Sequence, residues 1–472
     1  MDGSTSAGGR ICKTPKAARD NGPSGVWLPA NAASGECRLQ VSYVRSAIMK
    51  KIAFTFAGRK DRMHSQLAYM ARALDEGVVD EWHLWNFARN AEDDAWLRQT
   101  FNESASLITD GHSVTYQPFA GNVRALALSV RARSDAHLLM RLDSGELVEV
   151  VLGAFENTRS LLRIVEGSGF APHAPVQSVA AKALDPAGEN SVMVALEESM
   201  LKIRLGGQPL FHLRTPATLI TLVAVRTGYG ALGEWRRARP PTRVQLKNTA
   251  LQHYKGFRLA YNYYSSARFV DSVFIKLDDD IVFCDMEGFK SFVEELSNST
   301  DLVILSANVI NNGVCAYLQE RSGFFANENF GFEYPPAGVC GKLWESSSLC
   351  ERLHEYFLSN KERILKIATS LDKRVEIPLV DRFSINFVGF RYPIMLMMTL
   401  ALQYGNEDDE HVMTRSITWH FGVKKFIFCR FVVSHLSFFK QDETLNAKGI
   451  LMRYAALASE TYGINDRPAR RV

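Results

Sequence analysis

The stretch Ser272-Val273-Phe274-Ile275-Lys276-Leu277-Asp278-Asp279-Asp280-Ile281-Val282-Phe283 decides how the rest of the chain is read. An apolar, β-branched run stops at three consecutive carboxylates and then resumes as Ile-Val-Phe. The run is too continuous for a solvated face and too short for a helix, so it predicts a buried strand. Acids at the carboxyl end of such a strand sit at the crevice where open α/β sheets bind ligands. Carboxylates this close repel one another and stay ionised together only beside a counter-cation. An oxygen-only cluster suits Mg²⁺ or Mn²⁺, ions that bridge to substrate phosphates. The bland alternative is an Asp-rich turn, and only further acidic motifs can decide against it.

The whole chain bounds the answer. Its 472 residues suggest two or three domains, and 46% hydrophobic with 22% charged residues is ordinary globular composition. A net charge of +4 argues against a nucleic-acid partner. Arg467, Arg470 and Arg471 are the residues that would touch an anionic surface, such as a peripheral membrane contact. The seven cysteines (12, 37, 284, 315, 340, 350 and 429) lack Cys-x-x-Cys spacing, which argues for a reducing compartment and against zinc. No run approaches the roughly 20 apolar residues of a membrane span. Tyr392 to Leu402, about half that length, is expected as a buried helix. Residues 1–48 lack the apolar centre of a secretory signal, so the expected location is cytoplasmic.

In chain order, residues 1–48 read as a disordered extension, with Met49-Lys50-Lys51-Ile52 as the start of an ordinary first strand. Lys51 to Phe56 alternates as a strand, and Ala57 to Arg62 follows as a polar, basic loop. Leu67, Met70, Ala71 and Leu74 recur at helical spacing before Gly77. Glu81 to Asn86 completes a strand–helix–strand unit, which requires a parallel pair. From about Val114 the texture changes to short alternating runs: 125–130, 136–142, 147–152, 192–196, 201–205 and 219–225. These predict an all-β sandwich. After Arg239-Pro240-Pro241 the α/β texture returns, with Val244 to Ala267 expected as one helix leading into the aspartate strand. The sandwich thus interrupts an α/β domain: residues 1–48 an extension, 49–112 and 239–472 the α/β domain, 113–238 the insert.

Further on, Gly288 to Leu296 reads as helix, and Asp301 to Asn308 and Phe383 to Phe390 read as strands. Residues 311–345 are rich in Gly, Asn, Phe and Tyr, as in a substrate lid or plain packing under a loop. A helical run ends at Gly405-Asn406-Glu407-Asp408-Asp409-Glu410, a second acidic cluster. Such acids also stabilise a helix start, with Asn406 as cap. Phe426 to Val433 is a strand followed by Ser434-His435, where a ligand or base would sit.

Two resemblances follow from these blocks. Val130 to His137, Glu149 to Ser160, Ile203 to Gly206 and Gly228 to Trp235 resemble the farnesoic-acid-O-methyltransferase-type domain over about 120 residues. No strand followed by a glycine-rich loop would hold S-adenosylmethionine, so this part is expected to bind or oligomerise. Asn157, Thr158, Arg159 and Arg163 are its candidate contacts to a sugar.

The interrupted domain resembles GT-A nucleotide-sugar glycosyltransferases over roughly 50–112 and 240–460. Asp278-Asp279-Asp280 matches the Asp-x-Asp motif, Glu407 to Glu410 the later acidic motif, and His435 a late metal-ligand position. That resemblance implies a GT-A, Rossmann-like fold holding Mn²⁺ or Mg²⁺ on Asp280, His435 and Asp278, with Asp278 alternatively on the ribose. Asp278 and Asp279 together with Phe56, Arg59, Asp61 and Asn86 would form the site for a UDP- or GDP-linked sugar donor. Asp409, or else Asp408, would be the general base that activates a glycan hydroxyl, giving inversion. The rival readings are a non-catalytic glycan-binding protein and a sugar-phosphate nucleotidyltransferase, for which Gly58-Arg59-Lys60 is too sparse a phosphate loop.

Overall fold

A computed structural model describes residues 49–462 apart from 166–174, 181–182, 239–241, 252, 327, 334–340 and 379–380. The extension 1–48, the Arg239-Pro240-Pro241 boundary, Tyr334 to Pro336 of the aromatic loop and the arginines at 467, 470 and 471 lie outside the described residues. No helix among the described residues is long and apolar enough to cross a membrane. Four cysteines, at 284, 315, 350 and 429, are buried and free.

The molecule is mixed α/β, with a large sheet and a β-sandwich-like region. Its parallel heart runs Ala105–Thr109, Val244–Thr249, Glu81–Asn86, Lys50–Ala57 and Ser272–Asp278, in that spatial order. The expected strand–helix–strand unit is present as Lys50–Ala57, Lys60–Asp75 and Glu81–Asn86, with the two strands parallel. Phe387–Arg391 pairs antiparallel with the aspartate strand, and Val303–Ile310 and Lys424–His435 continue the sheet as a parallel pair. Burying strands on both faces demands continuous apolar runs, which is why all eight residues of Val303–Ile310 are buried.

Three expectations need correction, and of the two readings of the aromatic loop the packed one holds for its described residues. Val244 to Ala267 is not one helix. Val244–Thr249 is a strand and His253–Tyr264 the helix, because two parallel neighbours offer the Val244-Gln245-Leu246 alternation a place between them. Lys60 to Arg62 is not loop but the first helical turn. Asn406 caps nothing; Asp408 is the N-cap, accepting from His411 N at 2.6 Å. The aromatic loop packs inward: Phe324, Phe325 and Phe330 are buried, with Phe325 and Phe330 against Tyr356.

The interrupting region forms a six-stranded sheet, in the order Gln117–Ala120, Ile220–Thr227, Ala136–Leu142, Leu147–Gly153, Arg159–Val165 and Gln177–Ala180. Facing it across a second apolar core (Leu128, Leu138, Val150, Val192, Val223 and Trp235 among others) are Ala125–Arg131, Asn190–Glu197, Met200–Leu205, Gln208–Arg214 and Gly233–Arg237. These strands do not form a separate sheet. Gly233–Arg237 bonds both Ala125–Arg131 and Ala105–Thr109, so the sandwich's layer runs on into the α/β sheet without a break.

Candidate active site

Parallel strands Lys50–Ala57 and Ser272–Asp278 end side by side, with Phe56 in register with Asp278. Backbone geometry brings the next residues into contact. Gly58 N donates to Asp279 Oδ2 at 2.9 Å, and a Cβ on Gly58 would lie 3.0 Å from Phe87 O and 3.1 Å from that carboxylate oxygen. Only glycine fits this approach without movement.

The three aspartates have separate roles. Asp279 accepts from Arg59 Nη2 at 2.5 Å and Nε at 3.3 Å, so it anchors the first loop instead of facing the crevice. Asp278, half-buried, accepts from Lys276 Nζ at 2.7 Å and Asn386 Nδ2 at 3.2 Å. Asp280 is only 2% exposed, and its two oxygens face different ways. Oδ2 accepts from Arg59 Nη2 at 2.7 Å and Arg62 Nη1 at 3.1 Å. Oδ1 lies 3.2 Å from His435 Nε2, in ion-pair range, but accepts no well-formed hydrogen bond. Burial opposes ionisation of Asp280, but His435 and Arg59 outweigh it and hold the carboxyl well below the usual range.

Asp278, Asp280 and His435 each offer a ligand atom, all within 4.8 Å of one another. His435 is the last residue of its strand, brought there by pairing with Ile281. The fit to a divalent cation rests on two buried atoms without a hydrogen-bond partner, Asp280 Oδ1 and His435 Nδ1, and on a mixed oxygen–nitrogen donor set.

The second acidic cluster reaches the same group through Asp409. Asp409 accepts from Tyr261 Oη at 3.1 Å. Burial pushes its carboxyl up, Lys276 pulls it down, and Asp278 raises it further. Lys276 in turn is lowered by burial but raised overall by Asp278 and Asp409. Asp409, Lys276 and Asp278 therefore form one electrostatic group. Asp408 turns away: besides capping its helix it accepts from Arg382 Nη2 at 2.9 Å, and Glu410 accepts from Arg382 Nε at 2.6 Å. Burial drives Glu410 up to about 7 against the pull of Arg382.

The remaining expected residues divide. Phe56 packs on Phe87 at 4.9 Å between ring centroids. Arg59 and Asp61 line a cavity of about 500 Å³ with Lys60, His64 and Arg89. Asn86 does not reach it freely: its amide is engaged by Asp94 (2.7 Å), Asn248 (2.9 Å) and Ala88 N (3.2 Å). In the sandwich, Asn157 holds Leu184 by two backbone bonds and Thr158 donates to Phe155 O. Arg163 is paired with Glu149, leaving Arg159 exposed.

Sequence reasoning missed Gln66 and Asp442, and it read Arg62 as a basic loop residue for phosphates where the structure pairs it with acids. Arg62 and Gln66 are one helical turn apart, so both point at the aspartates. Arg62 also donates to Ser437 Oγ (2.9 Å) and Asp442 Oδ1 (2.8 Å), while Gln66 Nε2 donates to Asp278 O at 2.7 Å. Helical spacing from the apolar stripe would have placed Arg62; Asp442 carries no pattern at all.

No family model and no curated protein matches the chain. Among solved structures it is similar to carbohydrate binding module CBM66 from Bacillus subtilis, at 11% identity and TM-score 0.20, covering 27% of this chain and 76% of that one. A second is Bacillus licheniformis beta-glucanase, at 9% identity and TM-score 0.19, covering 27% and 70%. A third is sheep galectin-11 in complex with glycerol, at 10% identity and TM-score 0.18, covering 26% and 99%. These weak likenesses concern the β-sandwich part.

Proposed function

We propose that the chain is a metal-dependent glycosyltransferase of GT-A type, moving a sugar from a nucleotide-sugar donor to a hydroxyl of a glycan or other acceptor. The observation that carries the reading is the triad Asp278, Asp280 and His435 with an open oxygen on Asp280, linked to Asp409 through the charges of Asp278 and Lys276. Asp280 and His435, with Asp278, would hold Mn²⁺ or Mg²⁺. When bound, that ion supplies a Lewis acid for the departing diphosphate.

The chain's own residues do the rest. Arg59 and Arg62 fix Asp280 Oδ2 so that Oδ1 faces the site. The cavity lined by Arg59, Lys60, Asp61 and Arg89 takes the nucleoside side of the donor. Asp409 accepts the acceptor's O–H proton while that oxygen bonds to the anomeric carbon and the bond from carbon to phosphate oxygen breaks toward the nucleoside diphosphate. A carboxyl raised by burial is the better base for this, and attack from the far side inverts the anomeric centre. The sandwich is the candidate glycan-binding module.

Thermal stability against UDP-, GDP-, CMP- and dTDP-linked nucleotides, each with and without Mn²⁺, tests the reading. A metal-dependent shift with one nucleotide, lost in Asp280→Ala, supports it and names the donor class. No shift with any nucleotide would sink it in favour of a non-catalytic glycan-binding protein.

A further inference from the structure

A second polar cavity, of about 210 Å³, lies where the sandwich layer joins the α/β sheet. On its wall are Glu234 and Lys247, 5% and 1% exposed. Lys247 Nζ donates to Glu234 Oε1 and to Gln245 Oε1 (2.8 Å). The other oxygen of Glu234 accepts from Arg131 (2.9 Å), Tyr263 (3.1 Å) and Arg268 (3.2 Å). Three cations therefore converge on one carboxylate, whose Oε2 takes three donors and whose Oε1 takes Lys247. Excess buried charge of one sign is costly unless an opposite charge sits beside it.

The rest of the lining points the same way. Arg237 stands exposed at the rim with no ion pair among the described residues, while Arg98 and Arg236 pair with Asp94 and Glu189. The oxygen ends of Gln245 and Asn248 are engaged by Lys247 and Asn86, which leaves their amide NH₂ ends as donors. Arg237, Lys247, Gln245 and Asn248 thus offer donors to a cavity whose lining, which also includes the polar side chains of Asn102, Ser104, Ser106 and Thr242, carries four cations (Arg98, Arg236, Arg237 and Lys247) against one acid, Glu234.

We propose that this seam is a binding site for a small oxyanion, a phosphate or sulfate group either free or on a small sugar. The volume is below the 300–1,000 Å³ of pockets for drug-sized ligands, which limits the occupant to such a group with little attached. The site is independent of the acidic motifs: Lys247 lies three strands from Asp278, about 14 Å at ordinary strand spacing.

The test is calorimetric titration and thermal shift of the full chain in EDTA at constant ionic strength. The probes are inorganic phosphate, sulfate, a hexose 6-phosphate and the free hexose. The phosphate-bearing probes should raise the melting temperature and the free hexose should not. A tighter dissociation constant for the hexose phosphate identifies the sugar-linked source; equal affinity identifies the free anion. Arg237→Glu, at the exposed rim, and Gln245→Glu, on the wall, should each weaken binding at least tenfold, and Asp280→Ala should leave it intact. Absence of any phosphate-dependent shift overturns the proposal, as does a shift that both charge reversals leave unchanged. Loss in Asp280→Ala with retention in Arg237→Glu would place the anion at the acidic motifs and overturn it equally. Because no metal or nucleotide is present, failure here leaves the transferase reading untouched.

Discussion

Asp280, in the turn after one strand, and Glu234, within another strand of the same sheet, are both buried carboxylates surrounded by cations, but they are finished differently. Both oxygens of Glu234 are met, Oε1 by Lys247 and Oε2 by Arg131, Arg268 and Tyr263. Asp280 has one oxygen met by Arg59 and Arg62 and the other left open beside His435. Register puts the two clusters in one row: Asp278, Phe56, Trp85 and Lys247 are successive cross-strand neighbours. The aromatic pair keeps them apart. Burial of charge alone does not separate the two carboxylates; the oxygen left unmet on Asp280 does, since around Glu234 the unmet atoms are Arg131 Nε and Arg268 Nε and not carboxylate oxygens.

Breaking the finished cluster should have the larger effect on stability. Glu234→Ala strands Lys247, Arg131 and Arg268 together, and removing one member of a buried ion pair costs about 3–5 kcal/mol. Asp280→Asn should cost less, about 1–3 kcal/mol, because Arg59 keeps Asp279 and Arg62 keeps Asp442. Denaturant unfolding of both variants measures the difference, and equal costs would erase the distinction drawn here.

Acid should attack the region between the clusters next. Burial holds His83 neutral, lowering it to about 4 from an ordinary 6.5. The unfolded chain therefore takes up the proton first, so this contribution is complete above about pH 6.5 and is lost as pH falls toward 4. The loss is about 3 kcal/mol at 1.36 kcal/mol per unit. Glu81, lowered to about 2 because its bonds to His83 and Lys50 outweigh burial, stabilises above about pH 4.5 and gives way only below that. A stability–pH curve that stays as steep in His83→Gln between pH 6.5 and 4 would refute the assignment.

At the open cluster the expected gain is from ligand. Saturating Mn²⁺ at a hundredfold excess over its dissociation constant should stabilise the chain by about 2.7 kcal/mol, and Asp280→Ala should remove that gain. The smallest effect separates the two candidate bases. Asp408→Ala loses a helix cap, about 1 kcal/mol, and should reduce transfer only modestly. Asp409→Asn removes a carboxyl already disfavoured by burial, so stability should hold or rise while transfer is abolished; the reverse pattern in a transfer assay would exchange their roles.

Elements whose burial is complete were legible in the chain. Ser272–Asp278 and Glu81–Asn86 read as strands because continuous or alternating apolar residues have no other way to leave water. The sandwich strands Ala136–Leu142 and Leu147–Gly153 read equally well from their period of two. Val244–Thr249 did not, since its half-polar residues become a strand only once Glu81–Asn86 and Ala105–Thr109 stand on either side. Nor was it legible that the sandwich shares a sheet with the α/β part, because hydrogen bonds between distant strands leave no mark on composition.

For the site, the residue types came from the chain and the divisions among them from packing. Local repulsion among Asp278, Asp279 and Asp280 already demanded cations, and the acids of 407–410 already stood at a helix start. Which aspartate binds Arg59, which keeps an open oxygen, and which of Asp408 and Asp409 faces the crevice depend on contacts more than 100 residues apart in sequence, such as Arg59 with Asp279 and Tyr261 with Asp409. Charge and periodicity are properties of neighbours along the chain. The hydrogen-bond partner that finishes one carboxylate and leaves another open is set by neighbours in space, which only the folded chain decides.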